Sequence, residues 1–128
     1  VVCAYDPGTG RLTVGEAQST GAAGPGTNHP AQLLVTADGA HAFLANRGHD
    51  SLARYAVEAE GARLRLLGTV PAGGVFPRHI AFSPDGGLLF AANQRSGTVA
   101  VFRVGADGEL RPAGEPFASP VAVCALPL

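Results

Sequence analysis

The sequence predicts an all-β fold built from repeated four-stranded antiparallel units. Three observations carry that prediction. A block spanning residues 29–57 recurs without a gap at 76–104, an offset of 47 residues. Each copy places Asp-Gly between short apolar runs, the strongest short-range hairpin signal. Gly and Pro interrupt every window long enough to display helical periodicity.

The repeat decides the architecture. Eight positions are identical in the two copies: Pro30/Pro77, Asp38/Asp85, Gly39/Gly86, Phe43/Phe90, Ala45/Ala92, Asn46/Asn93, Ala53/Ala100 and Val57/Val104. Leu33/Ile80, Thr36/Ser83, Ser51/Thr98, Leu52/Val99 and Tyr55/Phe102 keep their character. In each copy an apolar run (Leu33-Leu34-Val35, Ile80-Ala81-Phe82) reads as a first strand. Beyond the Asp-Gly turn a second strand covers Ala42-Phe43-Leu44-Ala45 or Leu88-Leu89-Phe90-Ala91-Ala92. A polar bend follows at 46–50 or 93–97, then a third strand at 52–57 or 99–104. A second glycine turn, Glu60-Gly61 or Asp107-Gly108, leads to a weaker fourth strand near 64–67 or 110–114. Four antiparallel strands in ~40–50 residues is the period of a β-propeller blade. Runs apolar on both faces suit blades sandwiched between neighbours.

The expected organisation is therefore part of one propeller domain over residues 1–128. Residues 1–18 end one blade, 29–70 and 76–117 form two complete blades, and 119–126 supply the first strand of a further one. Pro120 stands there as Pro30 and Pro77 stand in the repeats. About two and a half blades cannot close a ring, because closed propellers hold ~4–8.

Composition narrows the function. Nine basic residues against ten acidic ones give no basic stripe for nucleic acid. No apolar run approaches the ~20 residues that cross a bilayer, so no membrane partner is expected. The opening Val1-Val2-Cys3-Ala4-Tyr5 has no basic n-region and no initiator Met, which predicts a fragment without a signal peptide. Cys3 and Cys124 sit singly in apolar runs and read as small buried hydrophobes in a reducing, cytoplasmic compartment. The histidines lack HExxH spacing and no carboxylates cluster, so neither a metal nor a cofactor is expected. No GxSxG elbow or Walker loop is present.

Blade topology brings the start of the first strand to the bend after the second. Asn28, His29 and Gln32 should meet Asn46, Arg47 and His49, while Arg78 and His79 approach Asn93, Gln94 and Arg95. Both groups face one mouth, the natural place for a small ligand. Arg47 and Arg78 are the foremost candidates, because a guanidinium fork suits a carboxylate or phosphate. His29, His49 and His79 are candidate acid–base groups, each balanced against a solvated loop position. Asn46 and Asn93 read as backbone hydrogen-bonders at the bend ahead of ligand contacts. Asp38 and Asp85 read as turn-formers at the opposite end, and His41 as a strand residue there. Arg95 and Asp50 are expected to be solvated.

At these bends the chain resembles the bacterial lactonase family of seven-bladed propellers, the 6-phosphogluconolactonase type. The stretches that carry the resemblance are Asn28-His29-Pro30-Ala31, Phe43-Leu44-Ala45-Asn46-Arg47-Gly48-His49-Asp50-Ser51, Pro77-Arg78-His79 through Pro84-Asp85-Gly86, Ala92-Asn93-Gln94 and Ser119-Pro120-Val121. They cover nearly the whole chain, in the order of that family's C-terminal end. The resemblance implies hydrolysis of 6-phosphogluconolactone to 6-phosphogluconate, a step of the pentose phosphate pathway, by a monomeric full-length protein. It implies Arg47, with His29 or His49 as water activator, in catalysis, and Asn46, Arg78, His79 and Gln94 on the substrate. Relatives often carry a carboxylate where this chain has Gln32, which removes a proton-transfer role there. A carboxy-muconate cycloisomerase and a non-catalytic binding propeller are the alternatives.

Overall fold

The computed structural model describes residues 1–128 as eleven strands and one three-residue 3-10 turn at Ala59–Gly61. One blade is a meander of β3 (His29–Val35), β4 (His41–Arg47), β5 (Ser51–Glu58) and β6 (Arg63–Pro71), in that spatial order. The next comprises β7 (Pro77–Phe82), β8 (Leu88–Asn93), β9 (Thr98–Val104) and an outer strand in two pieces. Those pieces, β10 (Leu110–Pro112) and β11 (Phe117–Ala118), both pair with β9. An N-terminal hairpin, β1 (Cys3–Asp6) with β2 (Arg11–Val14), precedes them.

The repeat is conserved at the level of hydrogen-bond register. Leu33 faces Leu44 as Ile80 faces Ala91, and Asn46 faces Ser51 as Asn93 faces Thr98. In both blades the first strand bulges just after its proline, where the missing N–H cannot extend the ladder. The Asp-Gly turns are chemically alike. Asp38 accepts from the Ala40 amide at 3.0 Å and the Thr36 hydroxyl at 2.6 Å, with Gly39 at φ 71°. Asp85 accepts likewise from the Gly87 amide and the Ser83 hydroxyl, with Gly86 at φ 72°. These bonds to the charged form, the hydroxyl's first, hold both carboxyls below their ordinary range.

The outer strand departs from the expectation of a short segment at 64–67 or 110–114. β6 runs for nine residues, and its partner in the next blade is interrupted. Val57–Leu64 and Val104–Leu110 put the outer strands 46 residues apart, whereas Leu52–Val70 and Val99–Phe117 restore 47. β6 makes the adjustment with a bulge beside Gly68, while a longer excursion splits β10 from β11.

The core lies between the blades. Phe43, Ala45 and Leu52 of one interdigitate with Ile80, Leu89, Ala91, Ala100 and Phe102 of the next. Phe43 meets Phe82 edge-to-face with centroids 5.8 Å apart. On the first blade's other face, Ala42, Ala53 and Tyr55 form a smaller cluster. The segment joining β2 to β3 runs past it, and the Tyr55 hydroxyl donates to the Ser19 carbonyl at 2.8 Å. Arg54 reaches across the blade boundary to the Gly108 carbonyl at 3.3 Å.

Residues 119–126 form no strand, because a first strand pairs with a second, which these 128 residues do not include. The segment nevertheless follows β7 as β7 follows β3. The Ile80 amide donates to the Gln32 side chain at 3.4 Å, and at His79, 47 positions after Gln32, the side chain accepts from the Ala125 amide at 3.3 Å. Cys3 and Cys124 are exposed, against expectation, since hairpin and tail lack the strands that would cover them. Val1, Tyr5, Leu12, Val14, Val121, Val123 and Leu126 are exposed for the same reason. The isolated 128-residue chain should therefore self-associate through open edges and apolar faces. Sedimentation velocity should show mass rising with concentration, and a strictly monomeric chain at high concentration would contradict this.

Candidate functional site

The bends that follow β4 and β8 lie at one end of the blades, with the starts of β3 and β7 beside them. His29 is paired with Arg47, and Pro77 with Asn93. The Arg47 Nε donates to the His29 carbonyl at 3.1 Å, leaving its terminal nitrogens outward. Gly48 turns the chain at φ 93°, and a Cβ there would lie 2.3 Å from the Thr27 carbonyl oxygen. Only glycine lets the two segments pass this closely. His49 is half-buried, with Nδ1 2.7 Å from the Ser51 hydroxyl. In the tautomer that donates from Nδ1, its Nε2 remains a free base. His49 and Gly48 border a small cavity of about 150 Å³ closed by residues 22–28. The His29 ring is exposed at the same end.

In the second blade Arg78 donates from Nη1 to Gln94 Oε1 at 3.2 Å, so these two form one polar unit. Arg47, Arg78 and Arg95 have no carboxylate partner. The ion pairs of the chain join Arg63 and Arg65 to Glu58, and Arg111 to Glu109, all away from this end. These arginines thus form no salt bridge, with the Asp50 carboxylate at the same end.

Burial favours the backbone-bonding reading of both asparagines over the substrate contact that the resemblance implies for Asn46. Asn46 is 0% exposed, so it has no surface to offer a substrate. Its Nδ2 donates to the Thr20 carbonyl at 2.8 Å and to Ser51 Oγ at 3.2 Å, and its Oδ1 accepts from Asn28 Nδ2 at 3.0 Å. Asn93, also fully buried, donates to the carbonyls of Ala72 and Ala91 at 3.1 and 3.3 Å. Each asparagine therefore holds the linker entering its blade, by donating to backbone carbonyls. His79 faces the tail: Nδ1 accepts from Ala125, and Nε2 lies 3.6 Å from the Cys124 sulfur. It binds neighbouring backbone in place of the bend, and desolvation lowers its pKa below the ordinary 6.5.

Asp50, expected in solvent, is half-buried and structural, whereas Arg95 is exposed as expected and also packs on a ring. Asp50, at φ 56°, accepts from the Gly48 amide at 3.1 Å and the Phe76 amide at 2.8 Å. Arg95 places its guanidinium carbon 3.9 Å from the Phe76 ring centroid, and Arg47 reaches the same ring at 5.5 Å. Phe76 was absent from the sequence-derived site. Its signal lay in the repeat, where it occupies the position of His29 directly before a blade's opening proline.

A wider groove of about 610 Å³ lies at the opposite end, between the two Asp-Gly turns. Its carboxylates are engaged by their own turns and its lining contains no arginine, so the cationic end is the better seat for an anionic ligand.

The stacked antiparallel blades, with polar bends at one end, define a segment of a β-propeller. A family model described as "Lactonase, 7-bladed beta-propeller" matches residues 1–127, and the chain belongs to that family. A protein of Lactococcus lactis subsp. cremoris is 34% identical over 104 residues, 80% of this chain and 30% of that protein. The 6-phosphogluconolactonase of Bacillus subtilis is 37% identical over 70 residues, 55% of this chain and 20% of that enzyme. A solved structure from Lactobacillus plantarum superposes with TM-score 0.88 at 27% identity, covering 95% of this chain and 36% of its own. A periplasmic gluconolactonase of Pseudomonas aeruginosa gives 0.79 at 28%, covering 91% and 33%. The chain thus spans about a third or less of these relatives' lengths. No helix is long and apolar enough to cross a membrane.

Two outcomes follow from the reassigned residues. Asn46→Ala should lower stability by roughly 1–3 kcal/mol, through buried groups left unpartnered, seen as a reduced urea midpoint. A rise in KM with no loss of stability would return Asn46 to the ligand. His79, with a folded-state pKa below its unfolded value, binds more protons when unfolded, so stability falls as pH drops through about 6.5. His79→Gln should flatten that slope in thermal melts between pH 7.5 and 5, and an identical slope in both proteins would exclude His79 as its source.

Proposed function

We propose that the protein carrying these blades hydrolyses a phosphorylated sugar lactone, 6-phosphogluconolactone to 6-phosphogluconate, as part of the pentose phosphate pathway in the cytoplasm. The observation that carries this reading is the set of arginines, Arg47, Arg78 and Arg95, without carboxylate partners at the bend end. Family membership supports lactone chemistry, and the name of the Bacillus subtilis relative supports the phosphorylated substrate. Two unpaired cysteines suit a reducing compartment.

In this reaction a water oxygen attacks the lactone carbonyl carbon and the ring C–O bond breaks. One water proton passes through a base to the departing alkoxide, giving the hydroxy acid. Arg47 is suited to stabilise charge growing on the carbonyl oxygen, because its terminal nitrogens are free while its Nε is anchored. Arg78, braced by Gln94, is suited to a second anionic group. His49, tethered through Nδ1, is the better-oriented candidate for activating water, with exposed His29 beside it.

Arg47→Ala and Arg78→Ala in the full-length protein should each lower kcat/KM for 6-phosphogluconolactone by roughly 10- to 100-fold, the worth of one charge-assisted contact. Arg111→Ala, at the outer strand, serves as the control. Unchanged kinetics in both variants with folding intact would remove these residues from the site. Absence of lactone hydrolysis by the wild type would defeat the proposed function.

A further inference from the structure

Phe76 is the most constrained residue at the mouth. Its φ of 65° lies in the left-handed region, an outlier for an aromatic side chain. Two hydrogen bonds, one from each blade, hold it there. Its amide donates to Asp50 Oδ1 at 2.8 Å from the first blade, and its carbonyl accepts from the Gln94 amide at 3.0 Å in the second. The Arg95 amide donates to the adjoining Val75 carbonyl at 3.1 Å, so the Arg95 stem starts beside the ring. The guanidinium then stacks at 3.9 Å, while Arg47 approaches the ring at 5.5 Å from the other blade.

Both charges thus lie near one ring centroid, no more than about 10 Å apart, close to a Debye length at physiological salt. Neither guanidinium forms a salt bridge, although the Asp50 carboxylate that holds the Phe76 amide lies at the same end. A guanidinium stacked on an aromatic face keeps its N–H edge free, in the geometry that binds phosphate through two parallel hydrogen bonds. Phe76 thereby acts as a rigid platform that orders an otherwise flexible, exposed side chain before ligand arrives.

We infer that Arg95, held on Phe76, is a specificity-determining residue that binds the phosphate of the substrate and selects phosphorylated over neutral sugar lactones. The inference rests on the lactonase reading and names which lactones the site prefers. A neutral lactone offers Arg95 no charge, so the contact contributes to binding of the phosphorylated substrate alone. Because Arg95 acts away from the reacting carbonyl, its effect falls on KM more than on kcat.

The test compares 6-phosphogluconolactone with glucono-lactone in the full-length protein and in Arg95→Ala, Arg95→Lys and Phe76→Leu, with Arg111→Ala as the unaffected control. The expected result is a roughly 10-fold fall in the ratio of kcat/KM values, phosphorylated over neutral, for Arg95→Ala. The change should appear as a raised KM for the phosphorylated lactone. Arg95→Lys should recover only part of it, keeping the charge but losing the paired N–H fork, and Phe76→Leu should lose part by removing the platform. An unchanged ratio, or a loss confined to kcat, overturns the inference. If the wild type hydrolyses neither lactone, the lactonase reading fails, and inorganic phosphate binding measured by calorimetry decides the role of Arg95. A roughly 10-fold weaker affinity in Arg95→Ala then sustains it, and equal affinity overturns it.

Discussion

Everything at the cationic end depends on a buried amide gripping a passing chain. Asn46 and Asn93, next to last and last in a blade's second strand, have no exposed surface, and each donates to a carbonyl of the linker entering that blade. A buried amide without partners is costly, so the linker cannot lift away without exposing or orphaning those groups. The linker is correspondingly compact. A Cβ on Gly74 would fall 2.7 Å from Asn93 atoms, which is why the backbone crossing the asparagine is bare.

The site is thereby assembled across a boundary between blades. The first blade contributes Arg47 and the Asp50 carboxylate, the second contributes Arg78, Gln94 and Arg95, and Phe76 on the linker is seized by both. Asp50 has two duties at once: closing its own bend through the Gly48 amide and fixing the backbone of the next unit. The inter-blade core does the same on a larger scale, with Phe43 and Leu52 packed against Ile80 and Phe102. Blade packing and the arrangement of the cationic end thus draw on the same relative placement of two sheets.

Architecture was legible because it rests on local periodicity. Asp38-Gly39 and Asp85-Gly86 announced their hairpins, and the 47-residue identity of Pro30, Phe43, Asn46 and Ala53 with their repeats carried the register. The outer strand was less legible, since Arg63-Leu64-Arg65-Leu66 is exposed enough to lack a strong apolar signature and owes its length to pairing with β5. At the bends, the pairing of Arg78 with Gln94 and of Arg47 with the His29 carbonyl followed from topology. The burial of Asn46, the tail contact of His79, and the recruitment of Asp50 and Arg95 did not, because each depends on a neighbour distant in sequence. Residue type alone read Asp50 as solvated, and it read Arg95 as solvated without its contact to Phe76. Phe76, an aromatic in a linker, gave no sign of its left-handed backbone.

The slip of one residue between the outer strands, 46 against 47, has a consequence for how such chains diverge. Blades fan out from an axis, so their rims are farther apart than their inner strands. At the rim an extra residue can bow outward without meeting another sheet, as it does where β10 gives way to β11. The inner strands, pressed against one another through Gln32 and Ile80, have no such slack. Length drift is therefore absorbed at the circumference, and the chain keeps its ligand-facing spacing while its periphery accumulates insertions.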